Sequence, residues 1–165
     1  MDYISTVNIE LTQKGKKPQF CIKDNGRGMD EETISMYFLK AGASYRKSAN
    51  WAKEFTDKRG NSLVQRSGRF GVGALAAFLL GDTIKVETRR LGAKHGLAFE
   101  ASINDEQIEI HKIDCNIGTK ITIELKKGIL KKLNTISRNL FLEEPGFWTN
   151  WYKFKTPKIT YSMDT

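Results

Sequence analysis

An acidic residue followed by two closely spaced glycines is the feature of this sequence that most directly suggests chemistry. Residues 24–29 read Asp-Asn-Gly-Arg-Gly-Met, between a strand-like run at 20–23 and a helix-like run at 30–34. A carboxylate at the end of a strand can accept hydrogen bonds from the N–H groups of a ligand, and glycines allow close approach to the backbone. An ordinary strand-to-helix turn has the same composition, so this segment alone leaves both interpretations open.

Two further glycine-containing elements follow in an order that favours ligand binding. Residues 67–73 read Ser-Gly-Arg-Phe-Gly-Val-Gly and lead into an apolar, helix-like run at 74–80. Glycine-rich backbone at a helix N-terminus presents free N–H donors at the positive end of the dipole, which favours anions. Gly118 and Thr119 open a later strand-like run at 120–125. Three such elements in this order indicate a ligand site far more strongly than any one of them.

These motifs resemble those of the GHKL ATPase superfamily, which includes gyrase B-type topoisomerases, ninety-kilodalton heat-shock chaperones, histidine kinases and mismatch-repair ATPases. The similarity is greatest to the chaperone-type ATP-binding domain, because residues 24–29 match its first glycine box and residues 68–73 match its second. The late Gly118-Thr119 pair also fits. The resemblance implies an α+β two-layer sandwich, with a mostly antiparallel sheet, helices on one face and nucleotide between the two layers.

The resemblance also assigns roles to individual residues. Asp24 would accept a hydrogen bond from the adenine amino group, and Thr119 would help a water molecule to bridge the base and that carboxylate. The second glycine box would hold the phosphates, with Lys47 or Arg69 offsetting their charge. The full set of expected nucleotide-binding residues is Asp24, Gly26, Gly28, Met29, Lys47, Gly68, Arg69, Phe70, Gly71, Val72, Gly73 and Thr119.

The resemblance further implies catalytic groups that this sequence does not supply. In the family, a helix before the first of these strands carries a Glu that activates water and an Asn that binds Mg²⁺. This chain begins with Met-Asp-Tyr, almost at the strand. The expectation is an N-terminally truncated ATP- and ADP-binding domain with weak or absent hydrolysis. Mg²⁺ is expected for the family, but no catalytic or metal-binding residue is assigned, and whether the chain is an enzyme stays open.

Hydrophobic patterning predicts the elements that would position these motifs. The spacing of Ile34, Tyr37 and Phe38 is typical of an amphipathic helix that ends near Gly42. The apolar run at 74–80 is expected to be a helix buried against the sheet. Alternating apolar residues predict an antiparallel hairpin over 7–23 and further strands at 83–88, at 97–103 with Ile103 facing inward, at 107–113 and at 118–125.

The chain is expected to form one domain over residues 1–165. Residues 42–69 follow no period and carry seven bases against two acids, and they are interpreted as a basic lid over the nucleotide. Trp51 and Phe55 are expected to pack together on a short helix within that segment. The C-terminal region, 129–162, is expected to be a helix followed by a strand.

Composition narrows the class of protein. The net charge of +8 favours anionic partners, which are nucleotide or, with less support, nucleic acid. No run approaches the ~18 apolar residues of a membrane helix, and two cysteines without metal-ligand spacing fit a reducing cytoplasm.

Three functions therefore stay open. The first is the ATP-binding domain of a chaperone-like ATPase, which would be a hydrolase by descent. The second is a non-enzymatic interaction or regulatory module of the same fold. The third is the ATPase part of a DNA-handling protein of mismatch-repair or microrchidia type. A second copy of the chain and neighbouring domains of a longer chain are the protein partners that the sequence leaves open.

Overall fold

A seven-stranded sheet organises the part of the chain that the computed structural model describes, which is residues 3–13, 17–40, 48–63, 76–133 and 156–164. The strands are β1 Thr6–Thr12, β2 Gln19–Asp24, β3 Thr83–Arg89, β4 Gly96–Ser102, β5 His111–Ile113, β6 Gly118–Glu124 and β7 Lys158–Asp164. Their order across the sheet is β5-β4-β3-β6-β2-β1-β7, and every neighbouring pair is antiparallel except β1 and β7. The expected α+β class with a mostly antiparallel sheet is confirmed.

The apolar core lies on one face of this sheet. Ile84 of β3 pairs with Ala101 of β4 and with Ile123 of β6, and Val86 pairs in the same way with Phe99. These residues are at most 3% exposed, because alternation along each strand directs every second side chain to the same side. Helical segments cover this face, since Ile34 is fully buried in the same cluster.

The first helical segment follows the 24–29 motif directly. Helix α1, Glu31–Thr33, continues as a wider π-helical turn over Ile34–Phe38. The carboxylate of Asp30 caps its first turn by accepting a hydrogen bond of 2.8 Å from the backbone N–H of Thr33. The cap fixes the point at which the motif ends and the helix begins.

Three further helical segments complete the described structure. Helix α2, Ala49–Phe55, is capped by Ser48, and its Trp51 and Phe55 rings lie 5.6 Å apart, as the i, i+4 spacing predicts. A 3₁₀ turn covers Ala77–Leu79, and a helical segment covers 129–133. Within the described ranges, no helix is long and apolar enough to cross a membrane.

Three details of the predicted elements are wrong. Strand β4 ends at Ser102, whose N–H donates to the Asp105 carboxylate at 2.8 Å. This turn takes Ile103 out of the sheet, and its side chain is 67% exposed. The strand predicted at 107–113 covers only the last three residues. The apolar run at 74–80 was predicted to be a buried helix, but residues 76–80, the part that the structure describes, are covered on one side only. Leu79 on the other side is 75% exposed.

Candidate functional site

The register of strands β2, β6 and β3 brings three polar side chains together at one end of the face that carries the core. Asp24 of β2 lies opposite Thr119 of β6, and Thr119 lies opposite Thr88 of β3. All three follow the alternation of the buried Ile84 and Val86, so they lie on the same face as the core. The acid and the threonine that the sequence indicated are therefore direct neighbours.

Backbone N–H groups hold the carboxylate of Asp24. The N–H of Gly26 donates to Asp24 Oδ1 at 2.8 Å, and the backbone of Thr119 supplies a second hydrogen bond. Burial nevertheless raises the pKa of Asp24 above its usual value of 3.8, because desolvation outweighs the two hydrogen bonds, which lower it. In its ionised form the group can only accept hydrogen bonds.

Thr88 is a polar residue of this site that sequence reasoning missed. Its side chain is fully buried, and Oγ1 lies 2.9 Å from the N atom of Met29, 3.0 Å from the carbonyl oxygen of Gly118 and 3.0 Å from Oγ1 of Thr119. The sequence does contain a signal, because the inward-facing positions of β3 read Ile, Val and then Thr. A buried hydroxyl in that position requires partners, and the partners here are the two glycine-containing segments.

Close packing of backbone segments explains why two positions of the motifs are occupied by glycine. Gly28 has φ +66°, and a Cβ atom built on it would lie 2.0 Å from the carbonyl oxygen of Arg89. Gly118 has φ +120°, and its Cβ would lie 2.2 Å from the carbonyl oxygen of Asp24. Both glycines are required where segments cross the end of the sheet, whatever ligand is present.

The 24–29 loop is anchored on its other side by Asn25. Its side-chain oxygen accepts from the N–H of Thr6 at 2.7 Å, and its amide nitrogen donates to the carbonyl of Ile4 at 2.7 Å. The hydroxyl of Tyr3 also donates to the Asn25 carbonyl at 2.6 Å. The middle of the motif therefore joins the loop to the start of β1, a role that sequence reasoning did not assign.

Helix α2 contacts the loop through a cluster of charged residues. Glu54 Oε2 binds Arg27 Nη1, and Glu54 Oε1 lies 3.0 Å from Arg90 Nη2. Arg90 Nη1 in turn lies 3.1 Å from Asp30 Oδ2, and the Arg27 guanidinium lies 5.0 Å from the ring centroid of Phe55. One carboxylate thus links two arginines, one from the loop and one from the end of β3. No spacing in the sequence signals this contact.

Replacing Glu54 with glutamine is expected to lower the free energy of unfolding by roughly 1–2 kcal/mol, because two partly buried guanidinium groups lose their shared anion. Glu54 and Arg90 are only 30% and 21% exposed. The matched control is Glu100→Gln, since the Lys85–Glu100 pair is 54% and 55% exposed, and its cost should stay within about 0.5 kcal/mol. Urea unfolding of both variants measures the difference, and equal costs would contradict the structural role of Glu54.

The expected nucleotide-binding residues fall into two groups. One group lies together at the end of the sheet, and the contacts of its members are with other residues of this chain. Its members are Asp24, Gly26, Gly28, Met29 and Thr119. Lys47 and residues 68–73 lie outside the described residues. Among the described residues, no three His, Cys, Asp or Glu side chains are grouped as metal ligands.

A cavity of about 680 Å³ lies on the opposite face of the sheet, and its lining includes Lys85, Glu87, Glu100 and Lys120. These charges are already paired, since Lys85 lies 2.8 Å from Glu100 and Lys120 lies 2.8 Å from Glu87. Such exposed pairs are typical of a solvated sheet face.

An α+β sheet with a half-buried acid, a buried hydroxyl and close-packed glycines at one end agrees with the GHKL-type fold that the sequence motifs suggested. The family model described as "Histidine kinase-, DNA gyrase B-, and HSP90-like ATPase" matches residues 4–133. The chain belongs to this family.

Similar curated proteins are bacterial chaperones. The chain is 32% identical over 122 residues to the chaperone protein HtpG of Helicobacter acinonychis and 31% identical over 126 residues to that of Rickettsia bellii, in each case over 73% of this chain and 19% of the relative. HtpG of Helicobacter pylori strain J99 is 29% identical over 126 residues, which are 74% of this chain and 19% of the relative. The chain therefore spans about a fifth of the length of these relatives.

Proposed function

We propose that this chain is the ATP-binding domain of an HSP90-like ATPase, with the adenine ring held at the end of the sheet where Asp24 and Thr119 lie. The observation that carries the proposal is the register of β2 and β6, which puts a carboxylate and a hydroxyl side by side on the core face. Family membership supports a nucleotide as the ligand. The chaperone relatives support placing the domain in a chaperone-like protein.

The proposed contacts with the base follow from the chemistry of the site. Asp24 accepts a hydrogen bond from the exocyclic amino group of adenine, a charge-assisted contact worth about 1.5–3 kcal/mol. Thr119 contributes at the same edge of the ring, directly or through water. Met29 packs on the face of the base, because its backbone N–H is fixed on Thr88 and its side chain already lies against the apolar core.

The proposed contacts with the phosphates rest on sequence motif alone. Backbone N–H groups of the second glycine box, residues 68–73, hold the phosphates as an anion site at a helix N-terminus. Lys47 and Arg69 offset the phosphate charge. Residues 42–69 act as the lid, and helix α2 within them already contacts the 24–29 loop through Glu54.

Hydrolysis by this chain alone is expected to be slow or absent. Phosphoryl transfer to water needs a group that orients the water and normally Mg²⁺ to offset the developing charge. The resemblance places the Glu and Asn for these tasks on a helix before the first of these strands, and neither task is assigned to a residue of this sequence.

A cytoplasmic location is part of the proposal. Cys21 and Cys115 are both free thiols, which fits a reducing compartment. The DNA-handling alternative finds less support, because four described lysines on and near the sheet are paired with acids, which reduces the free positive charge available to a phosphate backbone. The pairs in question are Lys17–Glu124, Lys85–Glu100, Lys120–Glu87 and Lys126–Asp82.

Calorimetric titration of ATP, ADP and GTP, each with and without Mg²⁺, tests the proposed function. Saturable binding of ATP and ADP, with GTP at least about 100-fold weaker, is the expected result. A parallel phosphate-release assay should show little turnover. Absence of binding by any nucleotide would contradict the proposal and leave the interaction-module interpretation in place. Binding of duplex DNA that weakens steeply with salt would instead favour the DNA-handling class.

A further inference from the structure

Helix α2 and the turn that follows it are tied together by their own hydrogen bonds and form the α2 unit, residues 48–63. A bridge between Thr56 and Ser62 closes the turn. The N–H of Leu63 donates to the carbonyl oxygen of Phe55 at 2.8 Å, so the end of the unit returns to the end of the helix. Because these bonds are internal, contacts with the rest of the chain are made or lost by the unit as a whole.

The aromatic residues of the α2 unit do not belong to the apolar core of the sheet. Trp51 is only 6% exposed, and its ring lies against that of Phe55. In the described part of the chain, neither residue is among those that form the core cluster or pack against it. The hydrogen bond from Asn50 to Glu32 is long, at 3.5 Å. The strongest described contacts between the unit and the rest of the chain are therefore the ion pairs of Glu54.

These ion pairs end on two arginines whose backbone positions are fixed relative to each other. The carbonyl oxygen of Arg27 accepts a hydrogen bond of 2.7 Å from the N–H of Leu91, the residue after Arg90. Arg90 is also held by Asp30, whose Oδ2 lies 3.1 Å from Nη1. The loop and the end of β3 thus bring two guanidinium groups close together without any contribution from α2. Like charges at short distance repel, so this pair requires a further anion.

Glu54 supplies that anion from the α2 unit. Its two carboxylate oxygens bind one guanidinium each, Arg27 through Oε2 and Arg90 through Oε1. The Arg27 guanidinium also lies 5.0 Å from the ring centroid of Phe55. Nε of Arg27 is buried and has no hydrogen-bond partner among the described residues. The side chain of Arg27 is therefore held by two groups of the α2 unit.

We infer that Glu54 is an electrostatic latch that holds the α2 unit on the 24–29 loop, and that the unit detaches as a whole while the sheet stays folded. The docked and detached positions form a two-state element whose balance depends on one carboxylate and on ionic strength. The latch is a property of the ligand-free chain, so it does not depend on nucleotide binding. Because α2 lies within residues 42–69, the latch would also set the resting position of the proposed lid.

Amide hydrogen exchange of the ligand-free chain, followed by NMR, tests the latch directly. In wild type, the amides of Ala52, Thr56 and Leu63 should exchange at least about 10-fold faster than those of β3 and β6. Their exchange should depend little on low urea concentrations, because detachment exposes little surface. Glu54→Gln should accelerate all three by a common factor of about 5- to 30-fold.

Three results of this experiment would overturn the inference. The first is acceleration by Glu54→Gln of less than about twofold. The second is unequal acceleration of the three amides, which is the result of fraying at the helix ends. The third is exchange in β3 and β6 that is as fast as in the α2 unit and has the same urea dependence, because the unit would then open only when the whole chain unfolds.

Two variants serve as controls for the role of Glu54. Lys53→Gln changes the charge of an exposed neighbour on the same helix, and its exchange rates should stay within about twofold of wild type. Arg27→Gln removes one ion pair but also relieves the repulsion between the arginines, so its acceleration should be smaller than that of Glu54→Gln. An effect of either variant as large as that of Glu54→Gln would contradict the latch.

Ionic strength provides a second measurement. Raising sodium chloride from about 0.05 to about 0.5 M shortens the screening length from roughly 14 Å to roughly 4 Å. The three amides of the α2 unit should then exchange about threefold faster or more in wild type, and Glu54→Gln should show little of this response. A wild-type chain without a salt response, or a variant with the same response, would overturn the inference.

Discussion

Gly28→Ala is expected to lower the free energy of unfolding by at least about 3 kcal/mol. A positive φ costs an L-residue roughly 1–2 kcal/mol, and Gly28 has φ +66°. The larger contribution is steric, because the added Cβ would lie 2.0 Å from the carbonyl oxygen of Arg89 and 2.9 Å from the N atom of Arg90. Both contacts are with backbone, which cannot move aside as a flexible side chain does. Such overlaps are among the few causes of large single-residue losses.

Gly92→Ala separates the steric part of this effect from the conformational part. Gly92 has φ +85°, and nothing lies within 4 Å of the position that a Cβ atom would take there. Its cost should therefore be only about 1–2 kcal/mol. Urea or guanidinium unfolding of both variants gives the comparison. Equal losses would mean that the loop does not pack against the end of β3 as described.

Asp24→Asn is expected to reduce ATP affinity by about 10- to 150-fold, the equivalent of a charge-assisted hydrogen bond of 1.5–3 kcal/mol. The carboxamide keeps an oxygen that can accept from the N–H of Gly26, so the loop should stay in place. It loses the charge and the second acceptor, and its NH₂ group would face the donors of the base. The loss of affinity should therefore occur without loss of the fold.

The same substitution should raise the free energy of unfolding at neutral pH. Burial raises the pKa of Asp24 in the folded chain above 3.8, so folding favours the protonated form. The stabilisation by that proton is complete below the unfolded pKa and is lost as pH rises through the folded pKa. Wild type should thus be less stable than Asp24→Asn at pH 7, and the gap should narrow as pH falls toward 4. A gap that widens on acidification would contradict this assignment.

Short-range pattern accounts for most of the sheet. Alternation predicted the hairpin of β1 and β2, and it predicted β3 and β6 with inward-facing Ile121 and Ile123. These strands are predicted correctly because one face is buried and the other is polar. The inward orientation predicted for Ile103 is wrong because a turn removes this residue from β4. That turn depends on a hydrogen bond to the Asp105 side chain, and such a contact leaves no periodic pattern in the sequence.

Long-range pairing explains what sequence pattern missed. The strand at 158–161 was predicted, but its parallel pairing with β1 joins segments about 150 positions apart, and no local signal encodes that partner. Thr88 and Glu54 were missed for the same reason, since each becomes informative only when strands or helices meet. Asp24, Gly28 and Thr119 could be proposed from sequence because each lies in a short glycine-containing motif that is recognisable without knowledge of the fold.

Asp24 is proposed to accept the adenine amino group, and a calorimetric experiment on three proteins tests that role. ATP is titrated under identical conditions into wild type, Asp24→Asn and the control Asp82→Asn, whose carboxylate is 83% exposed and pairs with Lys126. We expect saturable binding by wild type and the control, with binding by Asp24→Asn weakened by about 10-fold or more. Equal ATP affinity in wild type and Asp24→Asn would contradict that role.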